Sequence, residues 1–308
     1  MRFSSKLLSP QPSVPSPDMH FNHIAILGVG LIGGSFALAA RRAGIADRIT
    51  GWDRKEALDK ALDIGVVDGV EDAFDSGRPS EADLVYLAAP VGAIVSFLRK
   101  RGMLLKSGAI VTDAGSTKRE ICRVALEALP REVAFVGGHP MAGSERTGVE
   151  FANANLFQGA GYALVTNDAV NPDALRSVTQ VVRSIGATPI ALTAEEHDRI
   201  AARISHSPQM LSTALALAVA RRCEAGAPAL AGSGFAEMTR LAGSSWSVWE
   251  DICRTNSDEI SAALDETIAE IEAVRAAISS GDLAGLCEMF DSAGSLMRRF
   301  RDFRSETD

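Results

Sequence analysis

Paired cysteines are missing from this chain. Its four cysteines, Cys122, Cys223, Cys253 and Cys287, stand far apart, with no C-x-x-C and no metal-ligand spacing. That excludes a disulfide framework and a structural zinc site, leaves no metal expected, and fits the reduced thiols of a cytoplasmic protein. Positive charge is in deficit as well: 31 Lys and Arg stand against 39 Asp and Glu, a net charge of −8. The overall field therefore repels nucleic acid and anionic membrane surfaces, and neither is an expected partner. Any anionic substrate must meet a local cationic site. The first 20 residues carry Pro10, Pro12, Pro15 and Pro17 among serines and lack an apolar run long enough for a signal-peptide core. They read as a flexible tail, with Met19 a candidate later start. Internal repeats are absent too. What remains, 308 residues at 46% hydrophobic and 23% charged, suits a globular chain of two ordinary domains.

The most informative segment is a strand-like run, His23-Ile24-Ala25-Ile26-Leu27, flowing into Gly28-Val29-Gly30-Leu31-Ile32-Gly33-Gly34. Gly28 suits a tight turn, Gly30 admits a pyrophosphate to backbone N–H groups, and Gly33 lets the next helix pack on the strand, with Leu31 and Ile32 at the helix start. A second strand-like run, Arg48-Ile49-Thr50-Gly51-Trp52, ends at Asp53, about 20 residues beyond the last motif glycine, where a carboxylate accepts from an adenosine ribose and repels a 2′-phosphate. NAD is the expected cofactor. Arg54, able to contact a 2′-phosphate, keeps NADP open.

From residue 23 to about 192, short β-branched runs alternate with helical stretches, the signature of βαβ units. Strands are expected at 23–28, 48–52, 83–88, 109–113, 132–136, 161–166 and 188–192, and helices at 31–44, 54–64, 91–101, 117–128 and 172–185. Beyond Thr193 strand signals stop, and Ala, Leu, Glu and Arg recur at helical spacing. The expected architecture is α/β: a Rossmann-type, doubly wound, mostly parallel sheet over 21–192, after the tail 1–20, and an all-helical domain over 193–308. The apolar helices exceed what one small bundle buries, so a homodimer through them is expected.

Ligands of an open parallel sheet bind beyond the carboxyl ends of its strands. Ala89-Pro90 follows one strand as a small-residue turn beside which a nicotinamide ribose fits. Ser116, after the next, is either a helix N-cap or a hydroxyl aimed into the cleft. After 132–136 comes Gly137-Gly138-His139-Pro140-Met141-Ala142-Gly143-Ser144-Glu145. Its histidine is well placed to take a hydroxyl proton while hydride leaves the same carbon. In the helical half, Arg199, Arg203 and His206 fall on one helical face near His197 and Gln209, a cationic stripe or a solvated face. Arg240, in a glycine-broken apolar stretch, calls for a partner: a bidentate substrate carboxylate or an internal acid.

Taken together, these segments resemble the prephenate and arogenate dehydrogenases of tyrosine biosynthesis over about 22–300. The likeness rests on Gly28 to Ser35, Asp113-Ala114-Gly115-Ser116-Thr117-Lys118, Gly138 to Glu145, His197-Asp198, Ser205-His206-Ser207-Pro208, Gly234-Phe235 through Thr239-Arg240-Leu241-Ala242, and Trp249-Glu250-Asp251-Ile252. The resemblance implies NAD(P)-dependent oxidative decarboxylation of a cyclohexadienyl acid. It casts His139 as acceptor of the ring hydroxyl proton, Ser116 as the hydroxyl positioning it, and Arg240 as the clamp on the ring carboxylate. His206 and His197 would help bind substrate, and Glu145 would gate or pair. Many prephenate-preferring relatives carry a second histidine where this chain has Gln209, so arogenate, with or without prephenate, is the expected substrate. The rival readings are another hydroxyacid dehydrogenase with a helical second domain and a non-catalytic dinucleotide sensor.

Overall fold

A computed structural model of the chain describes residues 20–143, 146–222 and 227–305. The first strand, β1 (Phe21–Leu27), is apolar on both faces and buried from His23 onward, the pattern of a central parallel strand covered on each side. It is flanked by β2 (Ala46–Trp52) and β4 (Leu84–Leu87); β3 (Gly69–Val70), β5 (Ile110–Asp113) and β6 (Ala134–Val136) complete a parallel sheet of order β3-β2-β1-β4-β5-β6. The crossover helices are α1 (Leu31–Arg42), α2 (Lys55–Asp63), the short α3 (Ala73–Ser76), α4 (Val91–Arg101) and α5 (Arg119–Ala128). One core cluster holds Ile24, Ile26, Phe36 and Tyr86; the opposite face holds Ala25, Leu27, Ile94, Phe97 and Ile121. Leu27 pairs in register with both Trp52 and Leu87, and Leu87 with Asp113. The loops starting at Gly28, Asp53, Ala88 and Ala114 therefore leave the sheet at one level, its carboxyl edge.

The sheet does not continue beyond β6. The chain turns at Gly137 into β7 (Gly138–Pro140), which pairs antiparallel with β8 (Gly161–Val165), and β8 pairs parallel with β9 (Thr188–Leu192) across α6 (Pro172–Ser184). His139, expected in a loop, thus sits in a strand of a second, three-stranded sheet. Strands as short as β3 and β7 carry too few residues to show a period of two, which is why sequence patterning passes over them.

The helical half opens at a capping box: Thr193 Oγ1 accepts from Glu196 N (3.1 Å) while Thr193 N donates to Glu196 Oε2 (2.9 Å). Next come α7 (Ala194–Ala201), a π-helical turn over Ala202–His206, α8 (Ser207–Ala220), α9 (Ala227–Leu230), α10 (Ser233–Thr239), a 3₁₀ turn over Arg240–Gly243, α11 (Trp246–Thr255), α12 (Ser257–Ser280) and α13 (Leu283–Ser305). No helix among the described residues is long and apolar enough to cross a membrane.

Candidate active site

The glycine turn has the dimensions of a dinucleotide cradle. Gly28 adopts φ +85°, and a Cβ there would lie 2.3 Å from the Ala88 carbonyl oxygen; one on Gly33 would lie 1.9 Å from that of Gly28. Both positions are closed to side chains by backbone. Over Gly30, by contrast, nothing lies within 4 Å of a Cβ position. Gly30 is also the N-cap of α1, whose first turn carries no acid and no side-chain cap, so its N–H groups are available to an anion. Asp53 closes the cradle: its Oδ2 accepts from Val29 N (2.9 Å) and its Oδ1 from Arg54 N (2.7 Å). These features fit NAD, with Gly28, Gly30, Leu31, Ile32 and Gly33 around the pyrophosphate and Asp53 near the ribose. Arg54 is exposed at the start of α2, and Ala89-Pro90 leads into α4 on the same sheet edge.

His139 lies on that edge, half-buried, and its Nδ1 is 2.8 Å from Nε2 of His197. The His197 ring is buried, and its Nδ1 is in turn 2.8 Å from Oδ1 of Asp198, a carboxylate with no exposure. Asp198 also accepts from the backbone N–H groups of Lys118 (2.7 Å) and Arg119 (3.0 Å). A carboxylate from the helical half thus caps α5 of the nucleotide half. Burial favours the neutral acid, but the His197 N–H and the two backbone N–H groups outweigh it and hold the Asp198 carboxyl below its ordinary value. Burial, reinforced by His197, Lys118 and His206, pushes the His139 imidazole well below its ordinary value, so the ring is neutral at pH 7. The expected helix start at residue 117 moves to Arg119, and Ser116 is not its cap. Ser116 sits half-buried in the loop after β5, while His197 holds the imidazole nitrogen.

Lys118 has no exposure and ion-pairs with the equally buried Asp113, and its Nζ donates to the Gly138 carbonyl (2.6 Å). Asp113 Oδ1 accepts from Gly138 N (2.9 Å). This pair ties β7, and with it His139, to the end of β5. Neither residue stood out in the sequence as functional, although an Asp ending a strand five residues before a Lys in a small-residue loop is the available signal.

The helical face expected to align Arg199, Arg203 and His206 is broken by the π turn, which inserts one residue and rotates the rest of the helix. Arg203 points outward to Glu266 (2.5 Å), whereas His206 turns inward, 1% exposed. Asn256 Nδ2 donates to the Asp198 carbonyl (2.9 Å) and to His206 Nδ1 (3.2 Å), and its Oδ1 accepts from Arg119 (2.9 Å). His206 Nε2 is therefore the donor nitrogen. Burial pushes this imidazole down to about 4, so it is a neutral donor rather than part of a cationic stripe.

Gln209 is 5% exposed; its Nε2 donates to the Leu241 carbonyl (2.8 Å), and Ala242 N donates to Ser212 Oγ (3.0 Å). These two bonds fix the 3₁₀ turn carrying Arg240. Contrary to the buried setting expected of it, Arg240 is exposed in the single chain. The Gln209 Oε1 atom is buried without a partner among the described residues. Glu145 lies outside the described residues, as do the first 19 residues.

The sequence model described as the nucleotide-binding domain of prephenate dehydrogenase matches residues 36–191, and that of its dimerization domain matches 193–292. The chain belongs to the prephenate dehydrogenase family. A prephenate dehydrogenase of Bacillus subtilis is 36% identical over 284 residues, covering 88% of this chain and 74% of that one. A cyclohexadienyl dehydrogenase of Zymomonas mobilis is 32% identical, covering 88% and 93%. The structure of a prephenate dehydrogenase from Aquifex aeolicus, in complex with hydroxyphenyl propionate and NAD+, superposes with a TM-score of 0.85 at 28% identity over 92% of this chain and 99% of that one. That of a Synechocystis arogenate dehydrogenase does so at 0.77 and 28%, over 90% and 99%. As a member of this family the chain is an NAD-using oxidoreductase of tyrosine biosynthesis, and its reaction is an oxidative decarboxylation.

Proposed function

We propose that the chain oxidises arogenate, with or without prephenate, in the cytoplasm, with His139 as the base and Arg240 as the clamp on the ring carboxylate. The observation that carries the reading is the His139 imidazole: held neutral, fixed through Nδ1, and on a strand tied by Lys118 and Asp113 to the carboxyl end of β5. NAD, when bound, supplies the hydride acceptor for ring C4. The remaining work belongs to the protein. His139 Nε2 takes the C4 hydroxyl proton, which raises electron density on the oxygen and favours departure of the hydride. In this reading Ser116 positions the same hydroxyl, His206 helps bind the substrate, and Glu145 serves as a gate or an ion-pair partner. The guanidinium of Arg240 grips the C1 carboxylate in bidentate fashion. Release of that carboxylate as CO₂ aromatises the ring and makes the step irreversible.

Gln209 supports the choice of substrate. Its amide donates to Leu241, leaving the Oε1 acceptor unmatched by any group among the described residues. An acceptor without a donor suits the ammonium of arogenate better than the ketone of prephenate, which can only accept. The chain divides at 192/193 into a nucleotide domain and a helical one, and the apolar helices bring two copies together as a homodimer. Measuring NADH and NADPH formation with each acid tests the reading: NADH from arogenate is expected, and strict prephenate use overturns the substrate assignment.

A further inference from the structure

We propose that His197 and Asp198 are positioning residues for this reaction: with His139 they form a hydrogen-bonded chain that presents a bare Nε2 to the substrate hydroxyl and draws the captured proton's charge away from the cleft. The proposal rests on the reading of His139 as the base. At the buried end, Asp198 is ionised and accepts, so the contact at 2.8 Å is a donation from His197 Nδ1–H. A neutral imidazole that donates from Nδ1 accepts at Nε2, so the 2.8 Å contact with His139 is a donation from His139 Nδ1–H. One tautomer remains for His139, with its lone pair on Nε2. The carboxylate thus fixes, two rings away, which nitrogen meets the substrate.

The chain is anchored against rotation. Asp198 is held by three further N–H groups: the backbone of Lys118, and the backbone and Nε of Arg119. The charged and titratable groups around the rings are Lys118 and Arg119 from the start of α5, Asp113 from β5, and His206 from the π turn. Lys118 is neutralised by Asp113, and Arg119 also pairs with Asp258 (2.5 Å). Asp198 is therefore the anion directly bonded to the imidazole chain.

In the chemical step the substrate O–H bond breaks and its proton bonds to His139 Nε2. The O–H electron pair becomes the second bond of the carbonyl as hydride leaves the carbon for the cofactor. His139 Nδ1–H passes to His197 Nε2, which leaves His139 neutral and His197 as an imidazolium against Asp198. After product leaves, the transfer reverses and His139 Nε2 releases one proton to solvent.

Two measurements on the full-length enzyme test this. In ¹⁵N NMR of the wild type without substrate, His139 is expected to carry its proton on Nδ1; a proton on Nε2 overturns the proposal. The second is the pH profile of kcat/KM for arogenate, with unfolding temperature and NAD+ binding as controls. His197→Phe keeps the ring volume and removes the relay, and Asp198→Asn places an amide N–H where only an acceptor serves. Each is expected to lower kcat by about 10²-fold or more. Without the anion's support the base is harder to protonate, so the acid limb moves to lower pH by about one unit. A rate within about threefold of wild type, or a lower rate with the acid limb unmoved, overturns it. If His139→Asn itself leaves kcat unchanged, the base assignment fails instead.

Discussion

The two halves of the chain solve burial differently. Residues 21–192 place large apolar side chains in two clusters, one on each face of the six-stranded sheet, and Tyr86, Phe36 and Phe157 are all but fully enclosed. Among the described residues the helical half has one small buried cluster, Ala202, Ile252, Ile260 and Ala263, and leaves Met238, Trp246, Ile268, Ile271, Ile278 and Phe290 at least half exposed. On α12 and α13 large apolar side chains stand exposed among charged ones, Ile268 and Ile271 beside Glu270 and Glu272. The nucleotide domain completes its own core; the helical domain, which matches the family's dimerization domain, leaves this apolar surface uncovered in the single chain, and the proposed homodimer would cover it. The division of chemistry runs along the same line. In the proposed mechanism the base and the cofactor cradle belong to the finished half, and the carboxylate clamp to the unfinished one.

Three substitutions or conditions sharpen that contrast. The largest effect is expected from His139→Asn, which removes the proposed base without touching the cradle: kcat should fall by roughly 10²- to 10⁴-fold, with NAD+ affinity retained in a binding titration. An all-or-none change of assembly is expected next. Ile271→Asp combined with Phe290→Asp puts charge on the exposed faces of α12 and α13, and light scattering should then report monomer in place of dimer. An unchanged mass would assign the apolar face to something other than self-association. The smallest effect is pH-dependent. The His206 imidazole sits at about 4 in the fold and near 6.5 in the unfolded chain, so between these values the unfolded state binds more protons. Stability from this group is present above 6.5 and lost as pH falls toward 4. His206→Asn should flatten the decline in unfolding temperature over that interval.

Much of the finished half was legible in the sequence because it is built from local rules. Gly28, Gly30 and Gly33 follow a strand and open a helix, and Asp53 ends the next strand, so spacing alone carries the cradle. The strand-to-loop boundaries fell within a few residues for the same reason. Of the second sheet, β8 and β9 were legible as strands but β7 was not: it is three residues long, and its Gly138 is held by the buried Lys118–Asp113 pair from a distant part of the chain. Nor was the inward turn of His206, because a π turn changes helical phase without a residue-type signature. The positions of Asp198 and Asn256 as links between the halves rest on contacts across 79 to 137 positions of chain, which no periodicity reports.

In the proposed mechanism a base from one half and a cation from the other act on opposite ends of one ring. The saturation curve of Arg240→Gln for arogenate, at saturating NAD+, tests that pairing most directly. Loss of a bidentate charge-assisted contact should raise KM for arogenate by about 10- to 100-fold and leave KM for NAD+ unchanged. An arogenate KM equal to that of the wild type would remove Arg240 from the substrate and contradict the mechanism.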